Sequence, residues 1–182
     1  MKATDCVLYS GGLKGAEAAF GAAADRYGVE EVNFTFEGHQ IERTRGVRTL
    51  THAELQQGDV SLAYVSKLMN RRYPDTEYIK KVLQTIWHQV NNAQEIYVVG
   101  KVLDDGTVMG GTGWGAEFAK LCNKPLFVFD QERDGWRHWT GSSWEANEPT
   151  ISHPHFAGTG TRYLQENGAK AIDRLFARSF ST

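Results

Sequence analysis

The chain has 182 residues, 20 Lys and Arg against 22 Asp and Glu, a formal net charge of -2, and is 41% hydrophobic and 12% aromatic. The length suits one domain over residues 1–182 with a real core, the charge argues against a basic coat that tracks phosphates, and the composition argues against disorder. No run approaches the roughly eighteen apolar residues of a membrane-crossing helix, the start lacks a signal peptide's apolar region, and two cysteines without metal-type spacing, Cys6 and Cys122, suit a reducing cytoplasm.

Residues 6–9 form a short apolar run that ends in Ser10-Gly11-Gly12, which predicts a buried strand and a tight turn. Residues 16–27 are Ala-rich with Phe20 and Ala24 on one face, a helix stopped at Gly28. Residues 32–36 alternate and carry β-branched or aromatic side chains, as a second strand does. The polar stretch 37–51, with Arg43, Arg45 and Arg48, reads as a loop, either solvated or closing over phosphates. Residues 53–72 show one helical pattern, ended by Pro74. Thr76 is placed to cap the next helix, 77–91, whose apolar residues recur at three and four. Residues 96–100 and 126–129 read as buried strands, 136–145 as a small hairpin around Gly141, and 163–180 as the last helix. The rhythm of strand, turn, helix and strand predicts an α/β fold with a mainly parallel sheet covered on both faces.

The chain has 19 glycines against four prolines, where average usage predicts about 13 glycines. Much of the surplus sits in three knots, expected on loops at the carboxyl edge of the sheet, where such folds bind ligands. The first is Ser10-Gly11-Gly12-Leu13-Lys14-Gly15. Glycine lets a ligand approach the backbone amides, a helix start adds free N–H groups, and Ser10 and Lys14 add a hydroxyl and a cation. It is neither a Walker A loop nor a GxGxxG fingerprint, and a plain strand-to-helix turn is the alternative.

The second knot runs Gly110-Gly111-Thr112-Gly113-Trp114-Gly115-Ala116-Glu117. Glu117 either caps a helix electrostatically or points at a sugar beside a phosphate held by Thr112 and the amides. Trp114 either stacks on a base or fills core. The third knot, Gly158-Thr159-Gly160-Thr161-Arg162, offers two hydroxyls and a cation before the last helix, a second anion contact or a simple cap. Trp136, Trp139 and Trp144 read as packing or dimer contact.

Ser10-Gly11-Gly12 after the first strand, Asn92-Ala93-Gln94-Glu95 running into 96–99, Gly110-Gly111-Thr112 with its helix, and Asn123-Lys124-Pro125 before the 126–129 strand together resemble the SLOG superfamily. That Rossmann-like group includes the LOG phosphoribohydrolases, the molybdenum-cofactor carriers and the DNA-processing protein A fold. The order looks most like the molybdenum-carrier-like branch and covers about residues 5–130. The resemblance implies a Rossmann-like fold, with the hairpin as a small C-terminal insertion, and a nucleotide-derived ligand over the glycine loops. Gly110 to Gly113 match part of the PGGxGTxxE motif of the LOG enzymes, and Glu117 lies near its catalytic acid. Met69-Asn70-Arg71-Arg72 resembles their upstream arginine motif, which makes Arg72 a candidate. No proline precedes Gly110, and the segment from Val99 to Gly110 is longer than in those enzymes, as in the carrier-like branch.

Three functions follow. The expected one is binding of a nucleotide or a nucleotide-derived, phosphate-bearing ligand, as sensor or carrier, by Ser10, Gly11, Gly12, Lys14, Gly110, Gly111, Thr112, Gly113, Gly158, Thr159, Gly160, Thr161 and Arg162. The second is cleavage of an N-glycosidic bond by Glu117, helped by Arg72. The third, DNA binding, is disfavoured by the acidic balance. The sequence specifies no cofactor beyond a nucleotide-like ligand, no metal and no membrane partner. A homo-oligomer is expected.

Overall fold

The computed structural model describes residues 1–180. Its sheet has eight strands: β1 (Val7–Ser10), β2 (Glu30–Thr35), β3 (Val47–Thr49), β4 (Glu95–Gly100), β5 (Leu126–Asp130), β6 (Gly135–Trp139), β7 (Trp144–Ala146) and β8 (His155–Gly160). They lie in the order β3-β2-β1-β8-β4-β5-β6-β7. The first six in that order are parallel, and β6 and β7 add antiparallel at one edge. The expected hairpin therefore continues the main sheet.

Six α-helices complete the fold: α1 (Ala16–Tyr27), α2 (His52–Gln56), α3 (Asp59–Leu68), α4 (Glu77–Asn92), α5 (Thr112–Leu121) and α6 (Glu166–Phe180). No helix among the described residues is long and apolar enough to cross a membrane. The α1 helix ends at Gly28, whose φ of 75° and amide bonds to the Ala24 and Asp25 carbonyls form the left-handed stop that its sequence predicts.

The single helix expected over 53–72 is two. Thr51 and Glu54 form a capping box that starts α2, and Gly58, backed onto the Trp87 ring, separates α2 from α3. The stretch 37–51, expected to be all loop, contains β3. Residues 47–49 pair with 33–35 although all three are exposed, so no alternation of burial marks them.

Strand β4 is buried along its whole length, as a central parallel strand must be. Successive residues point to opposite faces. Tyr97 and Val99 join the core under α1 and α6 with Phe20, Phe156, Ile172 and Leu175. Ile96 and Val98 join the core under α3, α4 and α5 with Leu83, Ile86, Val90 and Val108. A smaller cluster, Phe34, Phe36, Leu50 and Leu55, underlies α2. From β1 the chain moves outward to β2 and β3, and from β4 outward to β5, β6 and β7, so the connections diverge on either side of β8. This is the switch point at which open α/β sheets place their ligands.

Candidate functional site

The first glycine knot joins β1 to α1 at that switch point. Gly12 (φ 72°) and Gly15 (φ 98°) hold left-handed backbone that favours glycine. The turn curls around a side chain that the sequence reading did not single out. Glu17, in the first turn of α1, is buried and accepts hydrogen bonds from the Leu13 amide (3.1 Å), Gln89 Nε2 (3.1 Å) and Thr159 Oγ1 (2.9 Å), with the Gly11 amide also donating. A buried carboxylate is tolerable only with such donors. Burial still raises its pKa, because it outweighs the opposing pull of the Leu13, Gln89, Thr159 and Gly11 hydrogen bonds.

Several groups expected to meet a ligand therefore have partners inside the protein. Thr159 donates to Glu17, Gly11 lies against the Gln89 amide and the Glu17 carboxylate, and Ser10 Oγ donates to the Gly158 carbonyl at 2.6 Å. The Gly12 carbonyl accepts from the Glu42 (2.8 Å) and Arg43 (3.0 Å) amides, which lays the 37–46 loop against the turn. The arginines of that region turn elsewhere: Arg43 to Glu31 (2.6 Å) and Asp25 (3.0 Å), Arg45 to Asp25, and Arg48 to Glu54 (2.7 Å). Lys14 is exposed and forms no ion pair among the described residues.

The third knot is not the loop expected before the last helix. Gly158, Thr159 and Gly160 lie within β8, between β1 and β4, and α6 begins only at Glu166. Gly158 is small because a methyl group there would lie 2.5 Å from the Phe20 ring and 3.0 Å from Leu8. Gly160, at φ 152°, passes against the Val99 carbonyl and Ala16. These glycines serve close packing of strand and helix, which is why they mimic a ligand loop in sequence. Past the strand, Thr161 is half-buried and Arg162 is exposed. Thr161 bridges two elements: its amide donates to the Val99 carbonyl (2.8 Å) and its carbonyl accepts from the Ala16 amide (2.9 Å). Arg162 lies over the Tyr163 ring at 5.0 Å and forms no ion pair among the described residues. Gly15 abuts the Arg162 backbone, so Lys14 and Arg162 flank one junction.

The second knot is built differently. Gly110 (φ 71°) and Gly111 are exposed and precede α5, whose first turn has no acidic residue and no side-chain cap. A helix start leaves amides without intrahelical partners and carries a partial positive charge. Here those of Gly111 and Thr112 donate to no protein acceptor among the described residues. Gly100, at the end of β4, faces Val108 and Thr112, which sets this turn over the strand that neighbours β8. The loop is held from behind by Arg71, which donates to the Gly110 carbonyl (3.1 Å), Thr107 Oγ1 (3.0 Å) and the Val108 carbonyl (2.9 Å). Gly113 leaves room for that guanidinium and for the Val108 carbonyl. Arg72, the arginine singled out from sequence, faces solvent and pairs with Asp75. Asn70, between α3 and the two arginines, has left-handed backbone (φ 53°).

Glu117 lies farther along α5 and turns to Lys120 at 3.2 Å. Lys120 donates to the Gly106 carbonyl (2.9 Å) and sits over Trp139 (4.0 Å) and Trp144 (5.2 Å). Glu117 thus belongs to the hairpin side of the molecule, away from the junction of β1, β8 and β4. Trp114 is buried, its ring 5.7 Å from Tyr73, and is core. Asp130, at the end of β5, was also not singled out. Burial works to raise its pKa, but hydrogen bonds from Arg133, Val102 and Glu132 outweigh it and hold the carboxyl below its usual range.

Two grooves among the described residues lie elsewhere. One of about 490 Å³ runs between α6 and the start of β6, and one of about 380 Å³ between α2 and the end of α4, floored by Tyr9, Val32 and Phe34. No group of three or more His, Cys, Asp or Glu among the described residues is placed to hold a metal ion. The donors left at the junction are those that hold anionic oxygens: helix-start amides, the Thr112 and Thr161 hydroxyls, and two cations.

No protein-family model and no curated protein matches the chain. A solved structure from Syntrophus aciditrophicus, described as a putative molybdenum carrier protein, is similar over 97% of this chain and 94% of that one, with a TM-score of 0.52 and 15% identity. At that identity the likeness shows the fold alone, a Rossmann-like α/β sheet.

Proposed function

We propose that the protein binds a nucleotide or another phosphate-bearing small molecule at the carboxyl ends of β1, β8 and β4, as a sensor or carrier. The observation that carries this reading is the contiguity of the three segments. Ala16 bonds to Thr161, Thr161 bonds to Val99, and Gly100 lies against Thr112. The phosphate belongs at the start of α5, where the Gly111 and Thr112 amides and the Thr112 hydroxyl are free of acidic competition. Lys14 and Arg162 supply the opposing charge. The carrier description of the structural neighbour supports the ligand-binding class. The N-glycosidase alternative needs a carboxylate beside the ligand, whereas Glu117 faces the hairpin and Glu17 is enclosed by its donors.

The test is thermal-shift titration with nucleoside mono- and diphosphates and with a phosphorylated pterin. Ligand at about 100 times its Kd raises stability by about 2.7 kcal/mol. Gly111→Asp is the discriminating variant. Gly111 has helical backbone and only Leu83 nearby, so the side chain fits. The carboxylate then caps α5 and leaves the fold as stable or slightly more so, while it repels phosphate and abolishes the ligand shift. No shift with any of these compounds, or a shift unchanged in Gly111→Asp, overturns the reading.

A further inference from the structure

The segment between β8 and α6 holds an aromatic ring that packing does not explain. Trp114, the ring that the sequence offered for stacking on a base, is core. Tyr163 is 71% exposed, yet its backbone is pinned. Its amide donates to Thr161 Oγ1 (3.0 Å), and its carbonyl accepts from Gln131 Nε2 (3.3 Å). The Gln165 amide donates to Gln131 Oε1 (2.7 Å), and Leu164 packs against the core under α1 and α6. Arg162 lies over the ring, 5.0 Å from its centre. A fixed loop that carries an open ring is a preorganised flat surface. The same bonds set the ring beside the start of α5. The Gln131 amide donates to the Gly100 carbonyl (3.0 Å), and a methyl group on Gly100 would meet Thr112 at 3.8 Å. Gly100 therefore connects the Tyr163 loop to the first turn of α5. That helix covers one face of the sheet and the loop leads to α6 on the other, so the ends of β8 and β4 lie between them. Glu132, which follows Gln131, is paired with Lys101 (2.6 Å).

We infer that Tyr163 is the stacking platform for the heterocyclic ring of a ligand whose phosphate lies at the start of α5. The inference rests on the phosphate site proposed above and narrows its ligand class. The ligand carries an aromatic ring as well as a phosphate, which excludes sugar phosphates and free phosphate as the preferred occupants. Every base offers a π face, so stacking selects for a ring without selecting which one. Arg162 serves the platform from its own side of the ring, where the cation is attracted by the ring electrons and restrains the side chain. A ligand held in this way spans the strand ends from the α5 side to the α6 side, across the switch point of the sheet.

Isothermal titration calorimetry with AMP, CMP and a phosphorylated pterin, against ribose phosphate and inorganic phosphate, tests this. At least one ring-bearing compound should bind about tenfold or more tighter than ribose phosphate. Tyr163→Ala should remove that advantage while leaving the affinity for ribose phosphate and the thermal midpoint unchanged, because the ring is exposed. Tyr163→Phe should keep the advantage, and Tyr64→Ala, at an exposed tyrosine on α3, should change nothing. Gly111→Asp should weaken ring-bearing compounds and ribose phosphate alike. No binding by any of these compounds overturns the phosphate site and the platform together. Ribose phosphate that binds as tightly as every ring-bearing compound, or a ring advantage that survives Tyr163→Ala, overturns the platform alone. A Tyr163→Ala chain that loses ribose phosphate and ring-bearing compounds in equal measure makes Tyr163 a support of the loop, and also overturns it.

Discussion

The first and second glycine knots look alike in sequence, each a cluster of glycines at the start of a helix after a central strand. They have opposite fates. The Ser10–Gly15 turn wraps the buried Glu17 carboxylate, so its own chain provides the negative oxygens that its amides attract. The Gly110–Gly115 turn has its acid five residues beyond the helix start, turned to Lys120, and its Gly111 and Thr112 amides donate to no protein acceptor among the described residues. One turn is closed by the protein, and the two amides that start the other have no such partner among the described residues. A glycine-rich turn thus becomes a binding site only if no side chain of the protein reaches it first.

The comparison is broken most directly at Glu17. Glu17→Ala orphans the donors of Leu13, Gln89 and Thr159 in a buried place and should cost on the order of 4 kcal/mol in urea unfolding. Glu17→Gln keeps the shape and lets the Gln89 carbonyl oxygen, which has no partner, accept a hydrogen bond after an amide flip, so its loss should be well under half of that. A loss within about 1 kcal/mol for Glu17→Ala would falsify the closed-turn reading.

Acid probes the 37–46 loop that lies on the closed turn. His39 is buried against Phe36 (rings 4.3 Å apart), and burial pushes its pKa down to about 4. The unfolded chain binds this proton near pH 6.5 and the folded one only near 4, so stability should fall as pH drops through that window, by on the order of 3 kcal/mol. Urea midpoints for wild type and His39→Gln across this range check it: the variant should show a clearly shallower slope, with His88, whose pKa burial also lowers, keeping part of it. Glu17 acts in the opposite sense, because its raised pKa favours the folded state while the carboxyl is protonated.

Gly158→Ala should cost about 2 kcal/mol by overpacking Phe20. Gly110→Ala, with nothing within 4 Å, should pay only for its left-handed backbone, about 1 kcal/mol. Chemical denaturation that ranks them in reverse would place the third knot outside the packed sheet. Arg71→Ala removes three hydrogen bonds from the open turn, and with water replacing part of them it should cost about 1 kcal/mol and shrink any ligand-induced thermal shift. Arg72→Ala, at an exposed site, should stay within about 0.5 kcal/mol of wild type.

Much of the fold is legible in the sequence because burial imposes periodicity. The 96–100 and 126–129 runs are β4 and β5, and the three-and-four spacing of Leu83, Ile86 and Val90 is α4. Elements without that signature are not. Strand β3 is exposed on both sides, and β8 is half glycine and threonine because helix and neighbouring strands crowd it. At the junction, glycine alone does not say whether space is left for a ligand or taken by the protein. Nor does the acid at position 17 announce that it folds back into the turn, since it also fits an ordinary first turn of a helix.

The sequence by itself determined the strands and helices whose burial is periodic, such as β4, β5 and α4, and their alternation along the chain. These are local matters of spacing and conformational freedom. Only the tertiary structure decided that the third knot is a central strand, that Arg71 rather than Arg72 supports the open turn, and that Glu17 fills the closed one. Those outcomes depend on which residues meet across the sheet, such as Glu17 with Thr159, and such meetings are set by packing between segments far apart in the chain.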